Sequence, residues 1–335
     1  MESDNIDIEK LIATRANNNK VAWMMADYIN NTPRQITPPL IDELKKDYQL
    51  DEDFLYRILL FNFMGLDIEA NKADSFIAEK YLQEGITRLS ATEYISNPYY
   101  THIAILEETT RHWQLTYDEY KPYEAFIYRD ISLLDDYTEI PHLGYFEKSF
   151  RFPLVKQDGR EWMAIKPNEI ETMKAPLNEI KGKVITFGLG LGYFTFMASQ
   201  KENVSDITVI ELDKEVINLF NQYILPQFNH PEKVHIIQTD AFDFMQHQLP
   251  KLHLDYAFVD LWHDAADGLN MYLKAKKLEY LSPETHFLYW IEETLLSALR
   301  WNIFEEVVHK NNSVERIEQL LSDNHLRKLA GSIRM

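Results

Sequence analysis

The stretch KVITFGLGLGYFTF, Lys183 to Phe196, decides the fold. Val184, Ile185 and Phe187 form a short β-branched and aromatic run, which predicts a buried strand. Phe194 to Lys201 predicts a helix. Between them Gly188, Gly190 and Gly192 stand at alternate positions, three of only ten glycines in 335 residues. Glycine lets the backbone turn at positive φ and removes the Cβ atoms that would hold a ligand off the main chain. The loop N–H groups and the helix N-terminus would then face whatever lies above the strand end. A plain strand-to-helix turn would use glycine as well.

Downstream the pattern repeats. Strands are expected at 184–187, 206–211, 234–238, 255–260 and 286–291, alternating with helical stretches. Such alternation predicts a doubly wound, Rossmann-like parallel sheet in an α/β fold, with ligands at the carboxyl ends of the strands. Those ends carry acids in order. Glu211 closes the second strand, 23 residues beyond Gly188, where a carboxylate can accept both hydroxyls of a ribose. Asp240 follows the third strand, where it can accept from an exocyclic amine while Ala241 leaves room for a ring. Asp260, His263, Asp264 and Asp267 follow the fourth. Each acid has an alternative as a helix cap, but the ordered set points to a nucleoside site. The third glycine comes one position too early for G-x-G-x-x-G, and no G-x-x-x-x-G-K-[ST] loop is present, which argues against dinucleotides and P-loop nucleotides.

Upstream, residues 1–140 are expected to form an all-α domain. IEKLIATRANNNKVAWMMADYI has helical spacing, PPLIDELKKDY restarts a helix after prolines, and the aromatic stretches 101–118 and 122–134 are also read as helical. Residues 141–180 are expected to hold a β-hairpin, with Asp158-Gly159 as its turn, and a connecting helix. The Rossmann-like domain then fills 181–335. Its tail beyond 294 reads as helical, so the sheet is expected to lack the usual last strand pair.

The composition, 45% hydrophobic and 13% aromatic, supports a sizeable core. The absence of cysteine excludes disulfides, thiolate metal sites and thiol nucleophiles. Together with an acidic N-terminus lacking a signal-peptide pattern, it leads us to expect a cytoplasmic protein. No apolar run approaches a membrane span. The formal net charge is −19; residues 1–140 carry 13 Lys and Arg against 26 Asp and Glu. Nucleic acid is therefore not expected as a partner, and a cationic small-molecule substrate is favoured electrostatically. Homo-oligomerisation is left open.

The ordered motifs resemble class I S-adenosylmethionine-dependent methyltransferases: FGLGLG as the glycine loop, Glu211 as the ribose acid, TDAF as the adenine contact and FVDLWHD at the fourth strand. A hairpin before the domain, the acidic helix of PNEIETM and the Asp240-Ala241 pair are similar to the spermidine-synthase-like branch. That resemblance implies S-adenosylmethionine, or its decarboxylated form, as cofactor. It implies Gly188, Gly190, Gly192, Glu211, Asp240, Ala241 and Asp260 as cofactor contacts. Leu189 and Leu191 in the loop, and His263 where the branch has the second acid of D-x-x-D, depart from aminopropyltransferases. Methyl transfer to a small molecule, with an amine favoured, is therefore the leading expectation. Aminopropyl transfer and a non-catalytic nucleoside-binding module are the alternatives.

Asp260, His263 and Asp264 are the candidate catalytic residues, for amine binding, proton transfer and orientation. Glu169, Trp262 and Tyr193 are candidate substrate contacts, with Trp162 and Tyr145 as further aromatic walls. Core packing is the alternative for every aromatic. NPYY (Asn97–Tyr100) looks like an amino-methylating motif but precedes the glycine loop. His263, Asp264 and Asp267 match no standard metal-ligand spacing, so no metal is expected.

Overall fold

A computed structural model of the chain describes residues 8–309 and 317–332. Twelve strands run through them: β1 (Ile86–Arg88), β2 (Glu108–Thr109), β3 (Trp113–Tyr120), β4 (Phe126–Leu133), β5 (Glu139–Tyr145), β6 (Phe150–Gln157), β7 (Arg160–Ala164), β8 (Gly182–Phe187), β9 (Val204–Glu211), β10 (Val234–Gln238), β11 (Tyr256–Val259) and β12 (His286–Tyr289). The described chain divides into two compact units, one of residues 8–94 and 119–151, the other of 95–118, 152–309 and 317–332. No helix among the described residues is long and apolar enough to cross a membrane.

The first unit begins with helices Ile8–Asn31, Pro38–Tyr48, Glu52–Phe63 and Lys72–Ile77. Local chemistry sets their starts. Pro38 opens the second, the Asp51 carboxylate accepts from the Phe54 N–H, and the Asn71 side chain accepts from the N–H groups of Ala73 and Asp74. Their apolar faces bury Tyr28, Ile41, Tyr56 and Leu60 in one core with Leu143 and Tyr145. A three-stranded sheet follows, in which β5 pairs parallel to β1 and antiparallel to β4. The N-terminal region is thus helical over its first part only. The helical reading of 101–118 and 122–134 is corrected: β2, β3 and β4 run there. In β4, Phe126 and Tyr128 are buried while Ile127 and Arg129 are exposed, the period of two that a strand half-covered by protein requires.

The second unit carries the expected hairpin. β6 and β7 pair antiparallel around Asp158 and Gly159, both at positive φ (48° and 82°), as a two-residue hairpin turn demands. Helix Pro167–Glu179 leads from it into the main sheet. That sheet has five strands, all parallel, in the order β10-β9-β8-β11-β12. Helices Tyr193–Ser199, Lys214–Leu219, Ala241–His247 and Ala265–Leu278 connect successive strands. Because right-handed crossovers run outward from β8 in both directions, the helices fall on both faces. The two central strands are accordingly buried; Val184, Ile185 and Phe187 of β8 and Ala257, Phe258 and Val259 of β11 are fully covered. The fold is a doubly wound, Rossmann-like parallel sheet. After β12 the regular elements among the described residues are all helices.

Candidate functional site

The order of the main sheet reverses between β8 and β11, and a crevice opens at such a switch point. Here it is a cavity of about 490 Å³, a volume suited to a small ligand. Gly188 directly follows β8 and Asp260 directly follows β11, so the topology alone brings these two together. The Gly188 N–H donates to the Ile210 carbonyl at 2.9 Å and the Asp260 N–H to the Phe187 carbonyl at 2.9 Å. Gly188 has φ 101°, and a Cβ on it would lie 2.1 Å from the Asp260 carbonyl oxygen. Only glycine fits there.

The loop is less open than the sequence suggests. The Leu189 N–H donates to Glu211 Oε2 at 3.2 Å, the Leu191 N–H to Met163 Sδ at 3.2 Å, and the Gly192 N–H to the Leu189 carbonyl at 2.8 Å. A pyrophosphate would need a fan of free N–H groups. These are engaged within the protein, which suits a nucleoside better than a dinucleotide. Asn97 and Tyr99 of the NPYY segment brace the loop. The Tyr99 hydroxyl donates to the Leu191 carbonyl at 2.7 Å, and the Asn97 amide bonds to the Tyr193 hydroxyl at 3.0 Å. Gly192 is the N-cap of helix Tyr193–Ser199.

Glu211, at the end of β9, lines the cavity. Its Oε1 accepts from the Asp213 N–H at 2.8 Å, and burial raises its carboxyl above the usual range despite these bonds. A carboxylate has about four acceptor sites, so capacity remains for a further donor. Asp240 also lines the cavity and caps helix Ala241–His247 by accepting from the Asp243 N–H at 2.9 Å; Ala241 is buried beside it. Cap and ligand contact are compatible here, since one carboxylate can do both.

Asp260 and Glu169 face the cavity together. Burial raises the Asp260 carboxyl to about 7. Glu169 is pushed well above the carboxylate range by burial and then by the Asp260 charge, and its Oε2 is buried without a hydrogen-bond partner. Helix Pro167–Glu179 brings Glu169 in from outside the sheet, so no strand-end rule would place it. Trp262 is 5% exposed, lines the cavity and stacks on Tyr289. His263 stands at the exposed rim with its ring centroid 6.1 Å from that of Trp162.

Three predicted residues stand elsewhere. Asp264 is not among the lining residues; it is the N-cap of helix Ala265–Leu278, in a reciprocal capping box with Asp267. Tyr193 is buried, bonded to Asn97 and outside the lining. Tyr145 belongs to the core of the first unit, stacked 3.6 Å from Tyr56. Among the described residues no group of three His, Asp or Glu side chains is arranged to hold a metal ion. Conversely, the sequence reading missed Met163, Trp113 and Trp290, which also line the cavity. Trp290 is pinned by its indole N–H donating to Thr172 Oγ1 at 2.9 Å.

No protein-family model matches the chain, and no curated protein matches it. Among solved structures it is similar to the spermidine synthase of Thermotoga maritima, at 15% identity and a TM-score of 0.30, over 39% of this chain and 48% of that one. It is also similar to a spermidine synthase in complex with the transition-state analogue AdoDATO, at 14% identity and a TM-score of 0.33, over 47% and 59% of the two chains. The match thus spans about half the length of those enzymes.

Proposed function

We propose that this chain is a transferase that takes an alkyl group from an adenosyl sulfonium and passes it to a small amine. One observation carries the reading. Among the described residues the cavity presents Glu169, Glu211, Asp213, Asp240 and Asp260, and neither lysine nor arginine lines it. Lys166 acts on Glu169 from outside the lining and is itself paired with Glu161. A sheltered site lined by acids favours cations, because their charge is poorly screened there. Trp113, Trp162, Trp262 and Trp290 also line it, and aromatic rings attract cations.

The residues present fit such a ligand. Glu211 offers its remaining acceptor capacity to ribose hydroxyls, Asp240 accepts from an amine on the base edge, and Ala241 clears space for the ring. The sulfonium supplies, when bound, an electrophilic carbon for in-line displacement. The chain's own task is to hold the amine close and to take its proton. Asp260 and Glu169 suit both tasks. As carboxylates they hold an ammonium, and a carboxyl raised to about 7 can accept a proton near neutral pH. The tryptophans exclude water.

S-adenosylmethionine and its decarboxylated form share the adenosyl sulfonium. The lining, with five acids and neither lysine nor arginine, favours the decarboxylated donor, since a donor carboxylate would lie against Glu169 and Asp260. Aminopropyl transfer is thereby supported over methyl transfer. The test is calorimetric titration with S-adenosylmethionine, decarboxylated S-adenosylmethionine and S-adenosylhomocysteine, then incubation of donor with diamines and mass spectrometry of the products. Tighter binding of the decarboxylated donor, with an aminopropylated product, supports the reading. Binding without turnover of any acceptor would favour a nucleoside-sensing module, and no binding at all would end the adenosyl assignment.

A further inference from the structure

Gly190 is a glycine for an unexpected reason. Its φ is 49°, and a Cβ built on it would lie 1.8 Å from Met163 Sδ and 2.9 Å from Met163 Cε. The next residue, Leu191, donates its N–H to the same sulfur at 3.2 Å. The space over the Gly190–Leu191 turn is therefore filled by the protein's own thioether. Met163 lies on β7 directly opposite Val155 on β6, and both line the cavity, so the hairpin presents one apolar face to the site. Methionine suits such a niche, being unbranched, polarisable and free to change rotamer.

The niche accepts an aliphatic chain bearing a divalent sulfur. That is also the chemistry of a nucleoside carrying a 5′-thioether. We infer that Met163 is a specificity-determining residue: by occupying the niche over Gly190 it shortens the cavity and limits the 5′ substituent that a bound nucleoside can carry. The inference rests on the nucleoside reading above. Met163 itself transfers no atom; it sets the space that the tail must share or vacate.

The experiment compares wild type, Met163→Ala and Met163→Leu. Calorimetry would use 5′-methylthioadenosine as the short probe and decarboxylated S-adenosylhomocysteine as the long one. Met163→Ala should tighten the long probe relative to the short one by roughly tenfold, the scale of small volume changes in a pocket. Met163→Leu, which restores the bulk, should keep the wild-type ratio. An unchanged ratio in Met163→Ala, with both probes binding, overturns this inference alone. If neither probe binds the wild-type protein, the nucleoside reading falls and this one with it. A second readout needs no ligand: hydrogen exchange at the Leu191 amide should quicken in both variants, and unchanged exchange would overturn the contact with sulfur.

Discussion

Gly188 and Asp260 meet backbone to backbone: a methyl group on Gly188 would lie 2.1 Å from the Asp260 carbonyl oxygen. The contact joins the ends of β8 and β11 at the switch point of the sheet. Main chain cannot swing aside as a flexible side chain can, and φ 101° is itself hostile to an L side chain. Gly188→Ala should therefore destabilise the protein by about 2 kcal/mol or more, read by urea denaturation. Gly159 offers the control. It too has positive φ, 82°, but an added Cβ would meet nothing within 4 Å. Gly159→Ala should cost only about 1 kcal/mol, the backbone strain alone. Equal costs would mean that the close approach at Gly188 contributes nothing.

Asp260 and Glu169 should give stability an unusual pH dependence. Both carboxyls are raised by burial, Asp260 to about 7. Between the ordinary carboxylate range and that value the folded state binds more protons than the unfolded state. Stability from these groups therefore falls as pH rises from about 4 to about 7. Asp260→Asn should flatten that fall and raise the melting temperature at pH 8 relative to wild type, while weakening amine binding. A variant less stable than wild type at pH 8 would show that the carboxylate is paired rather than merely buried.

His142 works with the opposite sign. It is 4% exposed, bonded to Ser132 Oγ at 2.8 Å, and burial beside the Arg129 charge lowers it to about 4. Here the unfolded state binds the extra proton. The contribution is present above the ordinary histidine value near 6.5 and is lost as pH falls towards 4. The wild-type-minus-His142→Gln difference in unfolding free energy should shrink between pH 7 and pH 4.5. A difference that holds constant across that range would contradict the depressed value.

These groups mark where the sequence is legible and where it is not. The main sheet was readable because its central strands are buried on both faces and its strands end in chemistry: VITF before the glycines, VIELD, and TDAF with its capping acid. β3 and β4 were misread because their aromatics obscured a period of two, although FIYR alternates inward and outward plainly in the folded chain. Asp264 was assigned to chemistry when the D-x-x-D spacing of Asp264 and Asp267 already carried the signature of a capping box. Met163 had no signal to find, because it reaches the cavity on a hairpin that precedes the main sheet and local pattern does not encode that docking. Trp290 directly follows β12, so the strand-end rule that singled out the acids could have found it.

Glu211 allows the ribose contact to be isolated. Its oxygens accept from backbone N–H groups, those of Leu189 and Asp213 among them, and the acceptor capacity left over is what we assign to ribose. Glu211→Ala should weaken adenosine binding by roughly tenfold or more, as expected for hydrogen bonds to a charged acceptor. Wild-type protein should bind 2′,3′-dideoxyadenosine about as weakly as the variant binds adenosine, and the variant should not distinguish the two. If the variant still prefers adenosine, the hydroxyls are held elsewhere.

Ile291 carries the last test. It is a β-branched residue at φ 46°, a region such residues avoid, and it links the buried Trp290 to helix Glu292–His309. Its neighbours explain why the strain persists. The Trp290 N–H donates to the Val259 carbonyl at 3.1 Å, the Trp290 indole N–H donates to Thr172, and the Leu295 N–H donates to the Ile291 carbonyl at 3.2 Å. The chain must turn between a fixed tryptophan and a fixed helix start. At an ordinary position alanine is more stable than glycine by about 0.5–1 kcal/mol. At 291 the order should reverse, with Ile291→Gly more stable than Ile291→Ala by about 1 kcal/mol, because only glycine relieves the backbone. Glycine should also loosen Trp290 on the cavity wall, so nucleoside affinity should fall in the variant that is the more stable of the two. Denaturation and calorimetry on the same pair decide it: the ordinary order of stability would show that the left-handed turn at Ile291 is not strained.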